Sequence, residues 1–162
     1  MRGRRGFTLV ELLVVICIIG LLAALLVVWI NNVSQIARYK QTRQLIDTLE
    51  VKCDLYKQDS GQFPPMTYAG SQNLHYYLGS PRTWVESGIA RQDVPYLDFR
   101  LNWLETSATT TSPTPPAFVV DAWGRPIEYV NPGVANVGRI DIRSFGIDGV
   151  ASMDDVLNGV HD

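Results

Sequence analysis

Residues 5–30 read RGFTLVELLVVICIIGLLAALLVVWI, in which Glu11 stands at the entry of a run, Leu12 to Ile30, of 19 residues without a charge. About 20 apolar residues in a helix span the ~30 Å hydrocarbon core of a bilayer. Arg2, Arg4 and Arg5 precede the run with no acid among them, and basic flanks stay on the cytoplasmic side. The stretch predicts a single-pass anchor with a cytoplasmic N-terminus and the rest of the chain across the membrane. A cleavable secretory signal is the competing reading, with Ala23-Ala24 as its cleavage point. The run is longer than the usual apolar region of about 7–15 residues, and such a region has no use for Glu11.

Glu11 needs its own explanation. An acid at the centre of a membrane helix costs about 2.5–3.5 kcal/mol on insertion scales, less near an end. Either it lies at the interface with its carboxylate reaching water, or it pairs with a positive charge. No Lys or Arg recurs before Arg38, so no basic side chain within the span can serve. Cleavage after Gly6 would supply the charge, because the free amine of Phe7 would lie one helical turn from Glu11.

The order Gly6, Phe7, Thr8, Leu9, then Glu11 before an unbroken apolar run resembles the class III signal of type IV pilins and type II secretion pseudopilins. The resemblance implies that a prepilin peptidase cuts between Gly6 and Phe7 and methylates the new Phe7 amine. It implies that the apolar helix is retained, and that Glu11 meets the Phe7 amine of a neighbouring subunit during filament assembly. Gly20 and Ala24 form a small-xxx-small pair that lets helices approach closely, or are ordinary membrane-helix composition. Many relatives carry proline one place before the equivalent of Trp29. Here that position is Val28, which does not break a helical ladder as proline does.

The helix continues beyond the apolar run. Residues 31–61, NNVSQIARYKQTRQLIDTLEVKCDLYKQDSG, contain no Pro and reach their first Gly at Gly61. Ile46, Leu49, Cys53 and Tyr56, with Leu45 alongside, form one apolar stripe of an amphipathic helix. Lys40, Arg43, Asp47, Glu50 and Asp54 would face water or neighbouring subunits. Gly61 and Pro64-Pro65 signal the stop. The expectation is a helix from Phe7 to about Ser60, roughly 80 Å long at 1.5 Å per residue. Cys17 and Cys53 lie 36 positions apart on it. That is about 54 Å, against the ~7 Å that a disulfide allows between Cα atoms, so no bridge forms within the chain. Pairing of Cys53 between molecules stays open.

The remainder predicts a small head. YKQDSGQFPP, residues 56–65, resembles the helix-exit segment of the type II secretion major pseudopilins. NLHYYLGSPRTWVESG and VPYLDFRLNWLE are rich in aromatic residues, and the first half of each suits a short helix. TSATTTSPTPP, residues 106–116, reads as an exposed loop. AFVV at 117–120, PIEYV at 126–130 and RIDIRSF at 139–145 predict an antiparallel meander, one face of which covers the helix stripe. DAWGRPIEY, residues 121–129, resembles the pseudopilin Asp-Pro-Trp-Gly turn with Ala122 in place of Pro. Trp123 and Tyr129 are expected in the core. The fold class is α+β: a leader at 1–6, a transmembrane half-helix at 7–30, an amphipathic half at 31–60 and a pilin-like head at 61–162 with an exposed loop about 105–116.

SFGIDGVASMDDVLNG, residues 144–159, gathers Asp148, Asp154 and Asp155 among small residues. Carboxylates brought together repel unless a cation neutralises them, and Ca²⁺ takes about 6–8 oxygens from carboxylates and carbonyls. The competing reading is a solvated acidic turn with Asp154 or Asp155 capping a last helical turn. The segment resembles the calcium loop of the major pseudopilins. That resemblance implies Asp148 and either Asp154 or Asp155 as carboxylate ligands, with the Phe145 and Ser152 carbonyls completing a structural calcium site.

The function expected is a structural subunit of a type II secretion pseudopilus, a helical filament that drives protein export across the outer membrane. The alternative is a type IV pilin for adhesion, motility or DNA uptake. Such pilins commonly close their C-terminal region with a disulfide, and no cysteine follows Cys53. The resemblance implies, as partners, copies of itself, minor pseudopilins, the prepilin peptidase, an inner-membrane assembly platform and membrane lipid. The location implied is the bacterial inner membrane with a periplasmic head. Eleven of the 14 basic residues follow Phe7, against all 16 acids, so the head has the wrong sign for a nucleic-acid binder. His75 and His161 are the only histidines, and no nucleophile motif, HExxH or phosphate loop stands out. An enzyme is not expected.

Overall fold

A computed structural model describes residues 8–86, 89–105, 108, 111–152 and 155–159, without the side chains of 26–32, 82–86 and 89–93. Helix α1 runs Leu9–Ser60. The chain divides after Ala37 into two compact units. In the first, every described side chain from Leu9 to Leu25 is exposed, Leu9 at 79% and Ile16 at 60%. An ideal Cβ on Gly20 would meet nothing within 4 Å. Among the described residues no helix is long and apolar enough to cross a membrane. The expected span, 12–30, reaches past Leu25 into side chains that lie outside the description.

The second unit begins at Arg38, and its core forms on the predicted stripe. Leu45, Ile46, Leu49 and Cys53 are buried, and Tyr39 and Tyr56 pack beside them. Leu74, Leu78, Phe99, Ile127, Tyr129, Ile140, Ile142 and Val156 complete the cluster. Burying each large aliphatic contributes about 1.5–3 kcal/mol. Cys53 is fully enclosed, so it is not available to pair between molecules. Burial, then the nearby charges of Asp54 and Glu50, raise its thiol pKa far above the ordinary value. The helix stops where the Gly61 N–H bonds the Lys57 carbonyl at 2.8 Å, with Gly61 at φ 81°. That left-handed cap is a conformation glycine adopts without steric cost.

Helix α2, Gln72–Gly79, lies in the first half of the first aromatic segment, as expected. An antiparallel hairpin follows, β1 (Arg82–Glu86) and β2 (Ile89–Asp93). The second aromatic segment does not begin in a helix. The Leu97 N–H bonds the Leu78 carbonyl at 3.0 Å instead, and the only helical turn there is a 3₁₀ turn at Leu101–Trp103.

The main sheet is β3 (Glu128–Val130), β4 (Asp141–Ser144) and β5 (Val156–Leu157), antiparallel in that order. Residues 117–120 were expected as its third strand. They make isolated bridges only, Leu104↔Val119 and Val120↔Pro126. The Val119 N–H goes to Ser71 Oγ at 3.1 Å rather than to the Ile127 carbonyl, which ends the ladder at one bridge. The third strand comes instead from beyond the acidic loop. Tyr129 is buried as expected, and its hydroxyl donates to the Pro64 carbonyl at 2.6 Å, tying the sheet to the helix exit. Trp123 is only half-buried.

Candidate functional site

At the mouth of α1 the sequence Thr8-Leu9-Val10-Glu11 forms a capping box. Glu11 Oε2 accepts the Thr8 backbone N–H and the Thr8 hydroxyl, each at 2.9 Å. Thr8 Oγ1 accepts the Glu11 N–H at 3.3 Å. Threonine with glutamate three residues on satisfies two of the helix's orphan donors reciprocally, and an acid also suits the positive end of the helix dipole. The Thr-x-x-Glu spacing is visible in the sequence, but the apolar run drew the reading toward pairing between chains. Gly6 and Phe7, the expected cleavage and methylation positions, lie outside the described residues.

The C-terminal acids occupy the connection between β4 and β5. Asp148 Oδ1 accepts the Val150 N–H at 3.0 Å, and Asp155 Oδ1 accepts the Ser152 N–H at 3.3 Å. The Phe145 carbonyl takes the Gly149 N–H at 3.0 Å and the Ser152 carbonyl takes the Asp155 N–H at 3.4 Å. A carbonyl has a second lone pair, so neither contact removes it as a ligand. Asp154 lies outside the described residues. Among the described residues no three His, Cys, Asp or Glu side chains gather as a metal group. The donor set is nevertheless all oxygen, which suits a hard cation. The loop also already turns one carbonyl, that of Gly146, to a cationic group, Arg125 Nη1, at 2.8 Å.

The residues that shape this loop were not anticipated. Asp121, 4% exposed, accepts the Trp123 and Arg125 N–H groups at 2.9 and 3.0 Å on Oδ1 and the Ser144 hydroxyl at 2.6 Å on Oδ2. Ser144 Oγ in turn accepts the Gly146 N–H at 3.2 Å. The Asp-Ala-Trp-Gly turn and the acidic loop are thus joined through one buried carboxylate. Arg143 donates twice to Glu128 Oε2, at 2.6 and 3.0 Å, and its Nη1 lies 3.9 Å from Asp155 Oδ2. An Asp three residues before a turn glycine was the available signal for Asp121.

Three other polar groups organise the head. Asp141 Oδ2 accepts the Val134 and Ala135 N–H groups and Oδ1 that of Asn136, at 2.6–2.8 Å. Burial alone would raise its pKa, but the donors at Ala135, Asn136 and Val134 together hold it below the ordinary 3.8. His75, fully buried, accepts the Ala117 N–H on Nδ1 at 2.8 Å, so Nε2 carries the proton toward the Thr111 carbonyl at 3.2 Å. Burial holds its pKa below the ordinary 6.5. It therefore clamps the Ser/Thr/Pro loop as a neutral imidazole. On the charged face of α1, Glu50 and Asp54 both receive Arg139, Glu50 also receives Asn158, and Arg43 donates to the Leu157 carbonyl. That part of the face grips the head rather than only meeting solvent.

Residues 1–27 match the family described as "Prokaryotic N-terminal methylation motif", and residues 101–160 match "Type II secretion system (T2SS), protein G". The chain is 31% identical over 154 residues to the type II secretion system core protein G of Aeromonas hydrophila, covering 95% of this chain and 90% of that protein. It is 31% identical over 166 residues to the core protein G of Dickeya chrysanthemi, covering 99% and 92%. The core protein G of Klebsiella pneumoniae is also 31% identical over 166 residues, covering 98% and 96%. No solved structure matches the chain.

Proposed function

Because the chain belongs to the type II secretion system protein G family, we propose that it is a structural subunit of a secretion pseudopilus. Copies stack by a heterologous contact that does not close, which generates a helical filament. The family is one of structural pseudopilins. The observation that carries the assembly reading is the mouth of α1, where an acid held, among the described residues, by its own helix cap opens a segment whose described side chains are all exposed.

In this reading a prepilin peptidase cuts between Gly6 and Phe7 and methylates the Phe7 amine. The apolar segment is the single pass through the inner membrane, surrounded by lipid, with the head periplasmic. At an assembly platform Glu11 exchanges its contacts to Thr8 for the Phe7 ammonium of the subunit already in the filament. An ammonium–carboxylate pair adds a second full charge to contacts in which only the Glu11 acceptor is ionised. A wrong vertical offset would strand both charges in a medium that cannot solvate them. The pair therefore sets the register, and minor pseudopilins join by the same rule. Growth of the filament then pushes an exported protein through the outer membrane.

The loop at 144–156 is the calcium site of this reading. Asp148 and either Asp154 or Asp155 supply carboxylates, and Phe145 and Ser152 supply carbonyls. The ion would be structural, pinning a loop in which Ile147 and Val150 stay exposed rather than joining the core. Glu11→Ala tests the assembly claim: the variant should insert and be processed, yet fail to polymerise, and normal filaments would refute the pairing. Asp148→Ala tests the ion. It should lower the melting temperature of the full chain only with calcium present, and a calcium effect equal to that in the wild type would refute the ligand role.

A further inference from the structure

Met66 is 48% exposed, yet its sulfur is engaged: the Asn131 N–H donates to Met66 Sδ at 3.2 Å. Asn131 also donates from Nδ2 to the Pro64 carbonyl at 3.1 Å, and the Tyr129 hydroxyl bonds the same oxygen. One residue just past β3 thus grips the helix exit, residues 64–66, from two atoms. The backbone beyond Met66 is fixed as well. The Thr67 and Tyr68 N–H groups both go to Asn73 Oδ1, at 2.8 and 2.7 Å. A methionine side chain ordinarily adapts freely about its three rotatable bonds. This one starts from a pinned backbone and ends on a hydrogen bond. The other described sulfur of the head, that of Cys53, is fully buried, and burial keeps its thiol protonated. Oxidants select sulfurs by exposure and, for cysteine, by thiolate character. Among the described sulfurs of the head, Met66 is therefore the one that an oxidant in solution reaches.

We propose that Met66 is a site of reversible oxidation by hydroperoxides, that it gives a single sulfoxide epimer, and that its oxidation loosens the joint between the helix exit and β3. In the step, a sulfur lone pair attacks the outer oxygen of the hydroperoxide. The S–O bond forms as the O–O bond breaks, and the sulfur gives up two electrons to the peroxide. The leaving oxygen takes the proton of the transferred one and departs as water or an alcohol. One sulfur lone pair faces the Asn131 N–H, so the oxygen is delivered to the other, and the new stereocentre has one hand. The oxidised sulfur is electron-poor and accepts weakly, while its oxygen points away from the N–H. Asn131 then loses its backbone contact to the helix exit. Methionine sulfoxide reductases, each taking one epimer, restore the thioether.

The test treats the full chain in detergent with hydrogen peroxide, then digests it and follows the peptide that carries Met66 by mass spectrometry. One of the two epimer-selective reductases should remove nearly all the added oxygen from that peptide, and the other nearly none. Chain oxidised in denaturant should divide about equally between them, because nothing holds the sulfur there. An equal division after oxidation of the folded chain, or no oxygen on Met66, would overturn the proposal. The oxidised protein should melt about 2–4 °C lower, the shift expected for one lost hydrogen bond. Hydrogen exchange at Asn131 should quicken. Met66→Leu conserves volume, and its melting temperature should not respond to peroxide. A Met66→Leu protein that loses as much as the wild type, or an oxidised wild type that melts unchanged, would overturn the loosening.

Discussion

Glu11 in the first unit and Asp121 and Asp141 in the second are acids held in opposite ways. Asp121 and Asp141 are nearly buried, and each is answered by donors from neighbouring loops of the same head. Glu11 is exposed and, among the described residues, is answered by Thr8 at its own helix start. The head acids are fully engaged within one chain. The Glu11 contacts are local and cheap to exchange, as the proposed assembly role requires. The apolar side chains repeat the contrast. Ile46, Leu49 and Leu74 have no exposure, whereas Leu12, Ile16 and Leu22 are all more than half exposed. One unit finds its partners inside itself, and the other leaves its described apolar side chains uncovered.

The comparison breaks most visibly at Glu11. Glu11→Ala should abolish filaments seen by electron microscopy while leaving the melting temperature of the head unchanged. A lowered melting temperature would show that the two units are not separately satisfied. Leu49→Ala should do the reverse, destabilising the head by about 2–5 kcal/mol through a core cavity, as read from denaturant unfolding.

Asp141→Ala should cost about 1–3 kcal/mol, because it orphans the N–H groups of the turn at 134–136. The pH dependence sharpens the point. Because the folded pKa of Asp141 lies below 3.8, its contribution is complete above that value and is lost as pH falls through the folded pKa. Asp141→Asn should flatten that acid limb.

His75 acts at higher pH. Its folded pKa lies below 6.5, so the unfolded chain takes the proton first and stability falls as pH drops below 6.5. Protonation also removes the acceptor of the Ala117 N–H. Thermal melts between pH about 7.5 and about 5.5 should show this slope in the wild type and less of it in His75→Gln. The smallest effect expected is that of Thr8→Ala, about 0.5–2 kcal/mol at the helix terminus. Hydrogen exchange should confine it to the first turn of α1.

The helices were legible because each carries a periodic stripe with a marked end. Ile46, Leu49 and Cys53 announce the buried face, and Gly61 announces the stop. The sheet was legible only in part. Alternation placed β3 and β4, but AFVV at 117–120 reads as a strand until Ser71 Oγ is seen to take the Val119 N–H. The two-residue β5 carries no period at all. The polar hubs were the hardest to read. Asp121, Asp141 and His75 act through backbone groups that are distant in sequence or hidden in turns, and residue type alone does not reveal such partners. Arg125 was read as part of a turn, and its bond to the Gly146 carbonyl follows only from the folding of the acidic loop.

The central claim is that this chain keeps its apolar helix and assembles through Glu11 and a newly made amine beside it. Mass spectrometry of the protein isolated from its native membrane tests this most directly. The account predicts a mature chain that begins at an N-methylated Phe7 and retains the whole apolar run. A mature chain that begins beyond Leu25, or one that still carries residues 1–6 in assembled filaments, would contradict it.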